Sequence, residues 1–116
     1  MIKVGLHEAE FFARHGYYKE EQILGNYFVV NIEASFHPVA QNIEDELVNT
    51  LNYEQLYEIT TRQMKLTRQL LESVAQGIAD DIMQQFPYIQ KLDVQVKKRN
   101  PPLKGSVGSS SVTISV

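Results

Sequence analysis

The sequence predicts a single α+β domain over residues 1–116, a four-stranded antiparallel sheet with two helices on one face in the order β-β-α-α-β-β. Four stretches alternate apolar and polar residues with the period of a half-buried strand, two near each end of the chain. Between them lie two stretches whose apolar residues recur every three or four positions, as on one face of a helix. With 116 residues, 43% of them hydrophobic, the chain can bury one core and hardly two.

In the first strand Ile2, Val4 and Leu6 alternate with Lys3, Gly5 and His7, and the segment runs on through Phe11-Phe12-Ala13 to His15-Gly16. A charged connection, Tyr17 to Gly25, leads to a second strand with Phe28, Val30, Ile32, Ala34 and Phe36 on one face. Pro38, which lacks a ladder donor, ends it. Asn52 is a good N-cap with Gln55 at the capping-box position, and it opens a helix to about Met64 in which Leu56, Ile59 and Gln63 share a face. A second helix is expected after Thr67, burying Leu71, Val74, Ala75, Ile78 and Ile82 and stopping before Pro87. Leu92, Val94 and Val96 mark a third strand halted by Pro101-Pro102, and Val112, Ile114 and Val116 a fourth. The Gly- and Ser-rich run 105–111 reads as a turn into that last strand and lacks the lysine and following helix of a phosphate-binding loop.

A sheet this small leaves ladder groups unpaired at both edges, which neighbouring copies or barrel closure would cover, so oligomerisation is a physical expectation. Lys and Arg number 11 against 14 Asp and Glu, a net charge of −3, which offers no footprint for nucleic acid or an anionic membrane. There are no cysteines for disulfides or thiolate metal sites. The N-terminal stretch turns polar before reaching the length of a signal peptide or a bilayer span, so a cytoplasmic protein is expected.

Lys98 continues the face of Leu92, Val94 and Val96, where burial would disfavour its ammonium and let it exchange protons near neutrality; the pattern alone favours a strand-end lysine reaching water. Glu72 falls in the first turn of the second helix, beside Ala75 and Ala79. A carboxylate there can accept the paired N–H groups of an amino-pyrimidinone ring, although stabilising the helix N-terminus is the commoner role. Tyr53 and Glu21 are undistinctive alone, a helix-start tyrosine and a charge in the acidic run Lys19-Glu20-Glu21-Gln22. His7, His15 and His37 lack the spacing of a zinc site, and no GxSxG, GxGxxG or nucleophilic cysteine is present, so no metal or cofactor is expected.

Four blocks in order then carry a resemblance: Phe12-Ala13-Arg14-His15-Gly16 with Glu20-Glu21 and Leu24-Gly25, Asn49-Thr50-Leu51-Asn52-Tyr53, Leu70-Leu71-Glu72 with Ile78-Ala79-Asp80, and Lys98-Arg99-Asn100-Pro101-Pro102. Together they resemble the dihydroneopterin aldolase family, the last block being the most specific. The resemblance implies the tunnelling fold, in which four subunits close a barrel and two rings usually stack, giving a homo-tetramer or homo-octamer with active sites between subunits. It also implies metal-free and Schiff-base-free retro-aldol cleavage of a pterin, 7,8-dihydroneopterin, in folate biosynthesis. By motif, Glu72 anchors the pterin edge with the Leu71 and Leu51 backbone, and Lys98 shuttles protons. Tyr53 of a neighbouring subunit assists proton transfer, Glu21 contacts the hydroxylated side chain, and Tyr17 and Tyr18 wall the pocket. The chain departs from the family pattern at Asn31, Asn49 and Gln69, none of them a proposed catalytic position. Two rival functions are a 2′-epimerase of dihydroneopterin or its triphosphate, and a non-catalytic pterin- or purine-binding oligomer.

Overall fold

The computed structural model describes residues 1–38 and 44–116. Four strands, β1 (Ile2–Ala13), β2 (Asn26–Phe36), β3 (Lys91–Arg99) and β4 (Ser109–Ser115), form one antiparallel sheet in the order β1-β2-β3-β4. Three α-helices accompany them: α1 (Lys19–Leu24), α2 (Tyr53–Met64) and α3 (Leu71–Gln85). The long helices cover one face, α2 over β1 and α3 over β3 and β4.

Alternation puts Phe28, Val30, Ile32, Ala34 and Phe36 of β2 and Leu92, Val94 and Val96 of β3 beneath the helices, where all are buried. From above, α2 contributes Leu56 and Ile59, and α3 contributes Val74, Ala75, Ile78 and Ile82. The opposite face is polar and bonded side chain to side chain. Asn31 Nδ2 donates to Gln95 Oε1 at 3.2 Å, and Gln95 Nε2 donates to Thr113 Oγ1 at 3.3 Å, so one amide ladder crosses three strands.

Several boundaries differ from the sequence expectation, each for a reason that lies outside its own segment. β1 does not alternate throughout. Its register against β2 shifts between Leu6 and Ala9, Glu8 takes a positive φ of 55°, and the freed Glu8 N–H donates to Asn31 Oδ1 at 2.7 Å. This bulge switches parity, so that Ile2, Val4 and Leu6 before it and Phe11 and Ala13 after it all pack against the core. The strand ends at Ala13, short of His15-Gly16. The connection from Tyr17 to Gly25 contains helix α1, whose C-cap Gly25 has φ 74° and donates its N–H to Glu21 O at 2.9 Å.

Asn52 caps α2 by accepting the Glu54 N–H at 2.9 Å, without the reciprocal contact expected of Gln55. The buried stripe of α2 is Leu56, Ile59, Thr60 and Met64, with Gln63 at its margin and bonded to Asp81. Helix α3 starts at Leu71 and not soon after Thr67, because the backbone of Arg68 is bonded across space to His15 and Gly16 instead of to a helical turn. Ser109 to Ser111, expected in a turn, belong to β4 and pair with Arg99, Lys98 and Lys97.

Ile78 is fully buried between α3 and the sheet. Ile78→Ala should lower unfolding free energy by about 2–5 kcal/mol, the range for a cavity left by truncating a buried aliphatic side chain. Urea denaturation against the parent protein measures it, and a loss below about 1 kcal/mol would mean that the site collapses to fill the gap.

Candidate active site

The helix-covered face of β3 runs Leu92, Val94, Val96 and then Lys98, which lies opposite Phe28 of β2 and Ser110 of β4. Strand parity therefore delivers an amine to the end of an apolar layer. Its side chain is only 12% exposed, and burial holds the ammonium below the ordinary lysine range even with a carboxylate beside it. That carboxylate is Glu21, hydrogen-bonded to Lys98 Nζ through Oε2 and itself 16% exposed. The acidic run thus divides, since Glu21 turns inward to an ion pair while its neighbours Lys19 and Glu20 face solvent.

Helix α1 exists to present Glu21, and its six residues are held from both ends. Arg14 Nη1 donates to the carbonyls of Gln22 and Ile23 at the C-terminal end, where a helix has no internal donors left. Gln22 Nε2 donates to Gly16 O at 2.9 Å. Gly16 packs so closely on Glu21 that a Cβ on it would stand 2.4 Å from the Glu21 Cβ, so a glycine is required by space. Tyr18 N–H faces Glu21 Oε1 at 3.4 Å, and the Tyr17 and Tyr18 rings, both exposed, meet edge to face at 5.5 Å.

Beside this pair sits His15, 1% exposed, with its ring edge-on to Phe28 at 5.3 Å between centroids. Its Nδ1 accepts the Arg68 N–H at 3.1 Å. Desolvation, aided by the nearby Arg68 charge, lowers its pKa from 6.5 to about 4, against a weaker opposing pull from the Met64 carbonyl. Sequence reasoning weighed His15 only as a metal ligand, because its partner is 53 positions away along the chain. The one local hint was a histidine two positions beyond Ala13, the last residue of the strand, which faces the core.

Glu72 occupies the first turn of α3 and is exposed, in an open hollow with Ser73, Gln76, Gly77, Asp80 and Ile114. Ala75 and Ala79, expected to leave room beside it, are buried in the core and line no part of that hollow. Glu72 shares an end of the molecule with Lys98 and Glu21, because α3 leads through residues 86–90 straight into β3, which runs back to Lys98. Leu71 lies beside it, partly buried against the core.

Tyr53 and Leu51 are elsewhere. Tyr53 begins α2, whose other end, Met64, lies by His15; 12 residues at about 1.5 Å each set the two ends roughly 18 Å apart. Tyr53 is exposed and Leu51 buried. One chain thus brings Lys98, Glu21, Leu71 and Glu72 to one end and leaves Leu51 and Tyr53 remote from them.

A model of the dihydroneopterin aldolase family matches residues 4–115 of the sequence. The chain belongs to the dihydroneopterin aldolase family. It is 35% identical over 107 residues to the dihydroneopterin aldolase of Streptococcus pyogenes, covering 90% of this chain and 89% of that one. The corresponding Bacillus subtilis protein is 31% identical over 115 residues, 98% and 96% of the two chains. The fold is that of the Escherichia coli dihydroneopterin aldolase solved in complex with neopterin, with a TM-score of 0.88 over 100% of this chain and 99% of that chain at 20% identity. The four-stranded antiparallel sheet layered with helices is thus the family's fold.

His15 gives this aldolase-family chain a measurable acid sensitivity. Its folded pKa of about 4 lies below the unfolded value of 6.5, so the unfolded chain binds the extra proton between those pH values. The stabilisation is complete above pH 6.5 and is lost as pH falls toward 4, by up to about 3 kcal/mol for this one group. Unfolding free energies of the parent and of His15→Phe at pH 7 and pH 4.5 should show a smaller acid loss in the variant; equal losses would contradict the assignment.

Proposed function

We propose that this protein is a 7,8-dihydroneopterin aldolase, which cleaves its substrate to 6-hydroxymethyl-7,8-dihydropterin and glycolaldehyde in folate biosynthesis. The observation that carries the reading is the part-buried Lys98–Glu21 pair at the same end as Glu72, within a chain of this family. A lysine whose ammonium is disfavoured by burial gives up its proton more readily than an exposed one, which suits it to proton transfer.

In this reading Glu72 accepts two parallel N–H bonds from the pterin edge, with the Leu71 backbone beside it. Lys98 takes the proton of the side-chain 2′ hydroxyl, through water. The bond between the first two side-chain carbons breaks, its electrons pass into the ring imine, and the hydroxyl carbon leaves as the aldehyde of glycolaldehyde. The electron-rich pterin is then protonated on the remaining side-chain carbon, with assistance from Tyr53 of the partner subunit. Glu21 holds Lys98 in place and contacts the hydroxylated fragment, and Tyr17 and Tyr18 wall the opening. The substrate is its own electron sink, so the chemistry calls for no metal, cofactor or Schiff base.

Assembly belongs to the same proposal. Among the described residues β1 pairs only with β2 and β4 only with β3, which leaves two sheet edges for neighbouring copies. Four copies closing a barrel, alone or as two stacked rings, would bring Leu51 and Tyr53 of one copy to Lys98 and Glu72 of the next. We read residues 1–116 as one domain. No helix among the described residues is long and apolar enough to cross a membrane, and we assign the enzyme to the cytoplasm. The net charge of −3 supports neither nucleic acid nor membrane as a partner.

Incubating the metal-stripped protein with 7,8-dihydroneopterin should release 6-hydroxymethyl-7,8-dihydropterin and glycolaldehyde together; the 2′ epimer alone would indicate an epimerase, and binding without turnover a pterin-binding protein. Lys98→Ala should lose turnover yet keep pterin affinity, whereas Glu72→Gln should weaken binding by about 1–3 kcal/mol. Neither Lys98→Ala nor Tyr53→Phe should be active alone, but mixed after dissociation and reassembly they should regain part of the parent turnover. No regain would place both residues in a site within one chain.

A further inference from the structure

We propose that His15 is a positioning residue that fastens the α1 turn to the connector between α2 and α3, and so holds Glu21 against Lys98. The inference rests on the aldolase reading of the Lys98–Glu21 site and adds a residue that the reading leaves without a role.

Two bonds tie the turn to one residue of the connector. His15 Nδ1 accepts the Arg68 N–H at 3.1 Å, and the Gly16 N–H donates to Arg68 O at 3.1 Å. A pair of bonds to a single residue fixes both separation and direction. The connector is itself anchored: Arg68 Nη2 donates to Gln63 Oε1 at 2.7 Å and Nη1 to Gln63 O at 3.1 Å. Gln63 Nε2 reaches Asp81 of α3 at 2.9 Å. Gly77 opens the space for this guanidinium, since a Cβ there would lie 2.5 Å from Arg68 Nη2. On the other side, Gly16 O receives Gln22 Nε2 and the Gly16 Cα abuts Glu21. The line of contact therefore runs from α2 and α3 through Arg68, His15 and Gly16 to Glu21 and Lys98.

The place calls for a neutral, flat acceptor. The ring fills an apolar slot against Phe28, the register partner of Lys98, and burial keeps it uncharged so that Nδ1 retains its lone pair. Phenylalanine would fill the slot but leave the Arg68 N–H unpaired. Asparagine carries an oxygen close to the position of Nδ1, and glutamine carries it one carbon farther out.

The test compares His15→Asn, His15→Phe and His15→Gln by hydrogen exchange of residues 17–25 in ligand-free protein and by kcat and KM for 7,8-dihydroneopterin. The Phe and Gln variants should speed exchange of that segment by about ten-fold or more. They should cut kcat by roughly ten- to a hundred-fold with KM within about two-fold, since Glu72 still binds the ring. Asparagine should restore both toward the parent. Unchanged exchange in the Phe variant, a fall in affinity in place of kcat, or Asn as impaired as Phe would each overturn the proposal. Should the Phe variant fail to fold, Gln against Asn gives the same comparison. A parent protein without turnover would sink the aldolase reading, while exchange still decides the clasp.

Discussion

A lysine on the buried face of a sheet needs a counter-charge, and most of the active end follows from meeting that need at Lys98. The ammonium cannot be left unpaired in an apolar layer, and its position is fixed by pairing with Phe28 and Ser110. Glu21 has to reach it from outside the sheet. A short helix brings it there, Gly16 and Gly25 give that helix its close approach and its exit, and Arg14 occupies the carbonyls at its end. Six residues have little helical stability of their own, so these contacts hold the helix more than propensity does.

The connector between the long helices serves both the fold and the site. Had residues 66–70 continued as helix, Arg68 would have spent its backbone groups on that helix and the His15-Gly16 turn would have lost its anchor. Starting α3 at Leu71 places Glu72 in the first turn of that helix, exposed to solvent. In the proposed reaction, the same starting point sets both the residue that would grip the ring and the contacts that would steady the base.

The remaining groups of the proposed reaction lie at the far end of α2, about a helix length away. The proposed joining of copies edge to edge would cover the open edges of the sheet and bring together the residues of the proposed reaction that one chain leaves at its two ends. On the side of the sheet without helices, the Asn31–Gln95–Thr113 ladder and the Glu8 bulge fix register without an apolar core, which suits a surface facing water.

The sequence by itself determined the order of the four strands and two long helices, the buried face of β2 and β3, the span of α2 and the family, because strand and helix periodicities and contiguous motifs are local properties; the short helix α1 it left as a connection. It also placed Lys98 on the buried face and Glu72 at a helix start. Only the tertiary structure decided the rest. The parity switch at Glu8 needed Asn31 to accept a stray N–H, the inward turn of Glu21 needed Lys98, 77 positions away, and His15 needed Arg68. Such contacts join residues that no periodicity relates, and their strength comes from being buried together, a condition that exists only after the chain has folded.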